Sequence, residues 1–258
     1  MNQSDRPVLW QLKRSVFSEK ARFALDYKGI AYVTRDLIPG MHGARLRLSG
    51  KGKTVPVLQS ADGLALSSSA IIAVAERMVP DPPLYPADGA ARKSALELER
   101  FFDELCGHEV RRLLFSATLG QANQFVTAFL GDSAAVVRGL ARAAFPAIRW
   151  RMRHQYGVDE AQVAQAQRRV DAAFDRIEEL TTASDYLVAD QFSVADVSAA
   201  SLLAPLVMPP QLVGAAFDPD HLPPAVAAVR DRYHQRPGFE WVQEMYRRHR
   251  VPAATTSN

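Results

Sequence analysis

Apolar residues return along the first eighty positions mostly at strand spacing, broken by two helical patterns. Val8-Leu9-Trp10 begins a strand over Val8–Leu12, and residues 18–28 read as a helix with Phe17, Ala21, Ala24 and Leu25 toward one side. Ala31 to Leu37 alternates as a second strand, and a strand–helix–strand unit implies parallel pairing through a crossover. Ile38 to Lys53 is rich in glycine and basic residues, with only a weak helical pattern over Ala44–Leu48, and is expected to be exposed. Thr54-Val55-Pro56-Val57-Leu58 reads as a third strand, in which the proline argues for an edge or for backbone left open to a ligand. Asp62-Gly63 marks a hairpin turn, Leu64-Ala65-Leu66 the returning strand, and Ser67-Ser68-Ser69 the cap of a helix that runs to Met78 before Pro80. The predicted order is βαβ, a weak helix, then ββα.

Asp81-Pro82-Pro83-Leu84-Tyr85-Pro86 is dense in proline and reads as a rigid linker. Everything after it has helical periodicity. One long, bent helix is expected over 90–118, followed by helices over 121–130, 133–155, 159–183, 193–206 and 223–249, with a frayed tail from Val251 to Asn258. In Phe192-Ser193-Val194-Ala195-Asp196, Ser193 can cap a helix and Asp196 can return the bond three residues on, a structural role.

Composition narrows the classes. The 258 residues are 48% apolar and 23% charged, ordinary for a globular protein with a sizeable core. No run of eighteen apolar residues occurs and the first seven residues are polar, so a cytoplasmic protein with no membrane partner is expected. Cys106 is the one cysteine, excluding an internal disulfide, and it reads as a buried small hydrophobe. The six histidines lack metal-ligand spacing, so no metal site is expected. Gly50-Lys51-Gly52-Lys53-Thr54 fails as a phosphate loop, because Arg47 stands where its first glycine belongs and a strand follows. A net charge of +3 does not imply nucleic acid. Its distribution is uneven: Met1 to Pro86 holds twelve Lys and Arg against seven Asp and Glu, and the remainder nineteen against twenty-one. The basic front part favours a small anionic ligand.

The chemistry centres on Ser15-Val16-Phe17-Ser18-Glu19-Lys20-Ala21-Arg22, which sets hydroxyls at a helix start beside unpaired backbone N–H groups. On this stretch alone Ser15 or Ser18 is equally an ordinary N-cap. Taken together, the Ser-led first helix, Thr54-Val55-Pro56-Val57-Leu58, Ser68-Ser69-Ala70-Ile71-Ile72, the proline linker and Phe192-Ser193-Val194-Ala195-Asp196 resemble the cytosolic glutathione transferases over roughly residues 8 to 245. Phe17 to Gly29 is similar to bacterial members with Ser or Cys at the active-site position. The resemblance implies a thioredoxin-like α/β N-terminal domain over 6–85 and an all-helical C-terminal domain over 89–250.

It further implies that Pro56 is cis, that Val55 offers its backbone to the cysteinyl part of glutathione, and that Ser68 with its helix start holds the γ-glutamyl carboxylate. Ser15 matches the position facing the glutathione sulfur, with Ser18 one turn on as helper, and Lys53 or Arg14 could meet a ligand carboxylate. The chain departs from the family pattern at Ser67, where an acid usually pairs with the ligand ammonium, and at Val16, where proline is frequent. The expected activity is conjugation or elimination of glutathione at an electrophilic carbon, with glutathione as co-substrate, no cofactor, a hydrophobic electrophile and a homodimer. Phe101, Phe102, Leu105, Leu113 and Phe115 mark the helix region to suspect for the electrophile's side, although such a stripe is usually core and none is assigned as a substrate contact. A non-catalytic protein retaining the fold is the alternative. Thiol–disulfide exchange is disfavoured, since neither Ser15 nor Ser18 can form a mixed disulfide.

Overall fold

The structure is a computed structural model that describes residues 6–131, 133–212, 220 and 222–250, and the backbone of Thr256 and Ser257. The front part carries β1 (Val8–Gln11), α1 (Val16–Tyr27), β2 (Val33–Asp36), α2 (His42–Leu48), β3 (Val57–Ser60), β4 (Gly63–Ala65) and α3 (Ser68–Met78). β1 pairs parallel with β2 across the α1 crossover and antiparallel with β3, and β3 pairs antiparallel with β4. Inside the sheet Leu9, Leu58 and Ala65 meet Ala21 and Leu25 of α1 and Ile71 and Ala75 of α3 in one closed core. The alternation predicted for β1 is visible as alternating half-buried and buried positions. Of the tail expected to fray, Thr256–Ser257 forms β5, paired parallel with β2; its neighbours lie outside the described residues.

Helices follow: α4 (Gly89–Cys106), α5 (Glu109–Thr118), α6 (Ala122–Leu130), α7 (Ala135–Ala143), α8 (Phe145–Tyr156), α9 (Glu160–Leu180), α10 (Val194–Val207), α11 (Pro224–Asp231) and α12 (Pro237–His249). Three predicted helices are divided. The helix expected over 90–118 breaks at Gly107, where a Cβ would come within 2.2 Å of the Phe17 ring, so the close approach of α1 requires glycine there. The helices expected over 133–155 and 223–249 break at Pro146 and Pro237, each in the first turn of the next helix, where a missing N–H costs nothing.

α10 is buried around its whole circumference, which marks it as the centre of the helical layer. Val16, Phe23 and Ala24 of α1 and Ile72 of α3 join its cluster, so the core is continuous between the α/β and helical parts. Ser193 and Asp196 form the predicted capping box, and the Asp196 carboxylate also accepts from the Leu187 amide at 2.9 Å, tying the preceding loop to the helix start. Cys106 is fully buried and burial pushes its thiol pKa up, as expected of a small hydrophobe.

Candidate functional site

Strand register brings the front-part residues singled out in the sequence toward one end of the sheet. Trp10 stands opposite Val57, so Gln11 and Leu12 lie at the end of the sheet where Val55 and Pro56 lead into β3. Leu58 stands opposite Ala65, so Ser67 follows β4 at that same end. The end of β1, the entry to β3 and the exit of β4 therefore share one edge, and two helices begin there.

At the first of these starts Ser15 is the N-cap of α1, and its half-buried hydroxyl accepts from the Ser18 amide at 3.4 Å. As the acceptor in that bond, the hydroxyl keeps its own proton for donation. The amides of Val16 and Phe17, in the first turn, have no intrahelical acceptor and add the positive end of the helix dipole. Ser18 lies differently from its expected helper position: it is fully buried, its Oγ reaches no partner, and burial shields it from a solvent-borne ligand.

At the second start Ser67 is exposed and N-caps α3, accepting from the Ala70 amide at 3.1 Å, while Ser68 is buried in the first turn. The Val55–Pro56 bond is cis, and Val55 precedes the β3 ladder. Lys53 is exposed on the approach to β3.

Buried charge holds these elements from behind. Arg22 on α1 donates to the Lys13 carbonyl at 3.0 Å and to Glu19 at 2.8 Å, which fixes the loop leading to Ser15. Glu19 in turn accepts from Tyr246 at 3.1 Å and from Arg250 at 3.0 Å, and Arg250 also pairs with Asp26. Lys20, fully buried, donates to Glu99 at 2.9 Å, to Asp103 at 2.7 Å and to Ser69 at 3.3 Å. Lys28, at the end of α1, ties down the linker, bonding the Pro80 carbonyl at 3.2 Å and pairing with Glu76. The sequence alone assigns Lys20, Glu19, Arg22 and Arg250 no such buried role. The available signal was the density of charge on the α1 face that also had to meet α4 and α12.

On the helical side the suspected stripe is mostly core. Phe102, Leu113 and Phe115 are enclosed in the core, while Phe101 and Leu105 pack partly buried against it. What reaches the α1 start from that side is His108, in the break between α4 and α5, with its ring 5.9 Å from Phe17 and edge-on to it. Burial and the Arg111 and Arg112 cations hold the His108 pKa below the usual histidine value, which favours neutral imidazole. Arg14 extends toward Gly131 at the end of α6. Two surface depressions, about 360 Å³ on α4 and about 310 Å³ among α5, α8 and α9, include none of the serines discussed above.

Residues 9–83 match the model of the glutathione S-transferase N-terminal domain and residues 160–232 that of the C-terminal domain, together more than half of the chain. No curated protein matches the sequence. Among solved structures, a glutathione S-transferase from Methylobacterium radiotolerans in complex with glutathione sulfonate is 22% identical with a TM-score of 0.54, covering 97% of either chain. The β-etherase LigF from a Sphingobium species is 20% identical with a TM-score of 0.59, covering 92% of this chain and 98% of that one. FzlA from C. crescentus, 20% identical with a TM-score of 0.57, covers 96% of each. At these identities the structures speak for the fold, a thioredoxin-like α/β domain followed by a helical one. With both halves of its family's domain pair matched in order on that fold, the chain belongs to the glutathione S-transferase family.

Proposed function

We propose that the chain is a glutathione transferase in which Ser15 donates its hydroxyl proton to the tripeptide's sulfur, and that the thiolate so stabilised attacks an electrophilic carbon. The observation that carries this reading is the occurrence of two Ser-capped helix starts and the cis Val55–Pro56 bond at one end of the sheet. A hydrogen bond to a charged acceptor contributes about 1.5–3 kcal/mol and a helix start about 0.3–1 kcal/mol, together roughly one to three pKa units. Starting near 8.5, a thiol so held is substantially ionised at neutral pH. Its proton leaves to solvent, the sulfur lone pair forms the new C–S bond, and the leaving group departs with its bonding pair; in an elimination the C–S bond breaks with its pair returning to sulfur, while the adjacent C–H pair forms the carbon–carbon double bond and that proton goes to solvent.

In this reading Val55 meets the cysteinyl backbone, and Ser68 with the α3 amides meets the γ-glutamyl carboxylate. Ser67 accepts from the ligand ammonium, and Lys53 faces a ligand carboxylate. Ser18 supports the α1 start from inside and takes no part in the chemistry. Phe17 and His108 border the side from which a hydrophobic electrophile arrives. Homodimerisation and a cytoplasmic setting belong to the same proposal, as does the division into domains over 6–85 and 89–250.

The test is calorimetric titration of glutathione into the wild type and Ser15→Ala in buffers of different ionisation enthalpy. Saturable binding with proton release that Ser15→Ala abolishes supports the transferase. Binding without proton release points instead to a non-catalytic binder, a reading favoured by Ser67 standing where an acid would hold the ammonium. No binding to the wild type overturns both.

A further inference from the structure

The α7–α8 segment carries two apolar faces, and the fold uses only one. Ala141, Phe145, Ile148, Met152 and Tyr156 turn inward, packing with Phe115, Phe125 and Phe129 in a satellite core. Opposite them Val136, Leu140, Ala143, Ala147 and Trp150 follow at spacings of four, three, four and three, and all are exposed; Val136 is 73%, Leu140 66% and Trp150 65% exposed. Such spacing keeps side chains on one line of a helix. The inward stripe runs unbroken from α7 into α8, so the bend at Pro146 leaves the outward stripe on one side as well.

Charge on this segment is of one sign. Arg138, Arg142, Arg149, Arg151, Arg153 and His154 fall between residues 133 and 158, and no Asp or Glu does. Arg149 and Arg151 are exposed and flank Trp150, whose ring lies tilted against that of His154 at 4.6 Å. Both matched family stretches, 9–83 and 160–232, exclude the segment. We infer that the α7–α8 outer face docks on an anionic lipid bilayer surface, with Val136, Leu140 and Trp150 entering the headgroup boundary and Arg149 and Arg151 meeting lipid phosphates. An aliphatic and tryptophan stripe flanked by arginine is the composition of a helix lying in a membrane interface. A second copy of the chain would oppose arginine to arginine across a two-fold axis. Nucleic acid would use the arginines and leave Val136 and Leu140 without a partner. The expectation of no membrane partner rested on the lack of a spanning segment; among the described residues no helix is long and apolar enough to cross, and interfacial docking requires none.

The test is cosedimentation of the full chain with phosphatidylcholine vesicles, with and without about a third of phosphatidylglycerol, at low and high salt. Retention only on anionic vesicles, weakening with salt, is expected. Each arginine neutralised in Arg149→Gln/Arg151→Gln should lower partitioning roughly fivefold. Brominated lipid should quench a fluorescence component that Trp150→Phe removes, leaving Trp10 and Trp241. Val136→Ser/Leu140→Ser/Trp150→Ser should abolish retention while the thermal transition persists. No retention on anionic vesicles, retention unchanged in either set of variants, or an unquenched Trp150 overturns the inference. So does a dimer that the triple variant dissociates, or preferential capture of a duplex oligonucleotide. None of these outcomes depends on glutathione binding.

Discussion

Replacing Lys20 with methionine tests whether buried charge joins the two parts of the molecule. The Lys20 ammonium, fully buried on α1, spends its three protons on Glu99 at 2.9 Å, Asp103 at 2.7 Å and Ser69 at 3.3 Å. Methionine fills the space but leaves two carboxylates facing each other without a cation. Breaking a buried pair by removing one partner costs about 3–5 kcal/mol. For a chain of this size that corresponds to a fall of about 6–20 °C in the melting temperature, at about 2–4 °C per kcal/mol. Burial raises the Asp103 carboxyl pKa, and Glu99 adds to this, while Lys20 and Ser69 oppose it. A folded pKa above the unfolded one means the folded state holds the extra proton, so stability falls as pH rises from the ordinary carboxylate range through the raised value. Without Lys20 the raised value climbs further, so the Lys20→Met penalty should grow with pH and shrink under acid conditions. Urea denaturation of wild type and variant between pH 5 and 8 measures this directly, and Lys20→Met/Asp103→Asn should lose less than the sum of the single changes. A penalty under about 1 kcal/mol, or one independent of pH, would refute the reasoning by showing that water already screens the cluster.

Ser15→Ala removes a long cap bond and should cost only about 0.5 kcal/mol, the low end for N-caps, so a chemical denaturation curve near wild type beside lost proton release separates function from folding. Asp196 is pushed up to about 7 by burial, against the hydrogen bonds from Leu187 and Ser193. Because its folded pKa lies above the unfolded value, wild-type stability should fall from about pH 4 to about pH 7, and the same measurements on Asp196→Asn should show a flatter slope. Arg250→Met takes the paired cation from Asp26 while Glu19 keeps Arg22 and Tyr246, and should destabilise by about 3 kcal/mol, the low end for breaking a buried pair, read as a lower denaturation midpoint. Cys106 should react with a disulfide reagent only at the rate of opening, since its thiol is fully buried with a raised pKa; rapid modification of the native protein would contradict that placement.

Local chemistry was enough to set the order of the front-part elements and several of the helix and hairpin ends. Ser15 and Ser67 cap α1 and α3, Gly29 follows α1 with φ +63, Asp62-Gly63 turns the β3–β4 hairpin, and Ser193 with Asp196 boxes α10, each through bonds within a few residues. Such contacts are written in neighbouring letters, and so are two-residue and helical periodicities, which is why the order βαβ, helix, ββα and then helices was legible. The cis Val55–Pro56 bond was legible only through the family resemblance, since its residues alone do not choose the isomer.

What lies far apart in sequence was decided by the tertiary structure. Gly107 reads as one residue of a continuous helical pattern until Phe17, ninety positions earlier, needs its missing Cβ. Ser18 reads as a second hydroxyl at a helix start until α1 packs inward and encloses it. Lys20, Glu19 and Arg22 read as a polar helix face until α4 and α12 bring Glu99, Asp103, Tyr246 and Arg250 against them, making buried ion pairs of solvated charges. The physical reason is common to all three. Burial and the pairing of charge are properties of the space between elements, and a sequence states which faces exist without stating which of them meet.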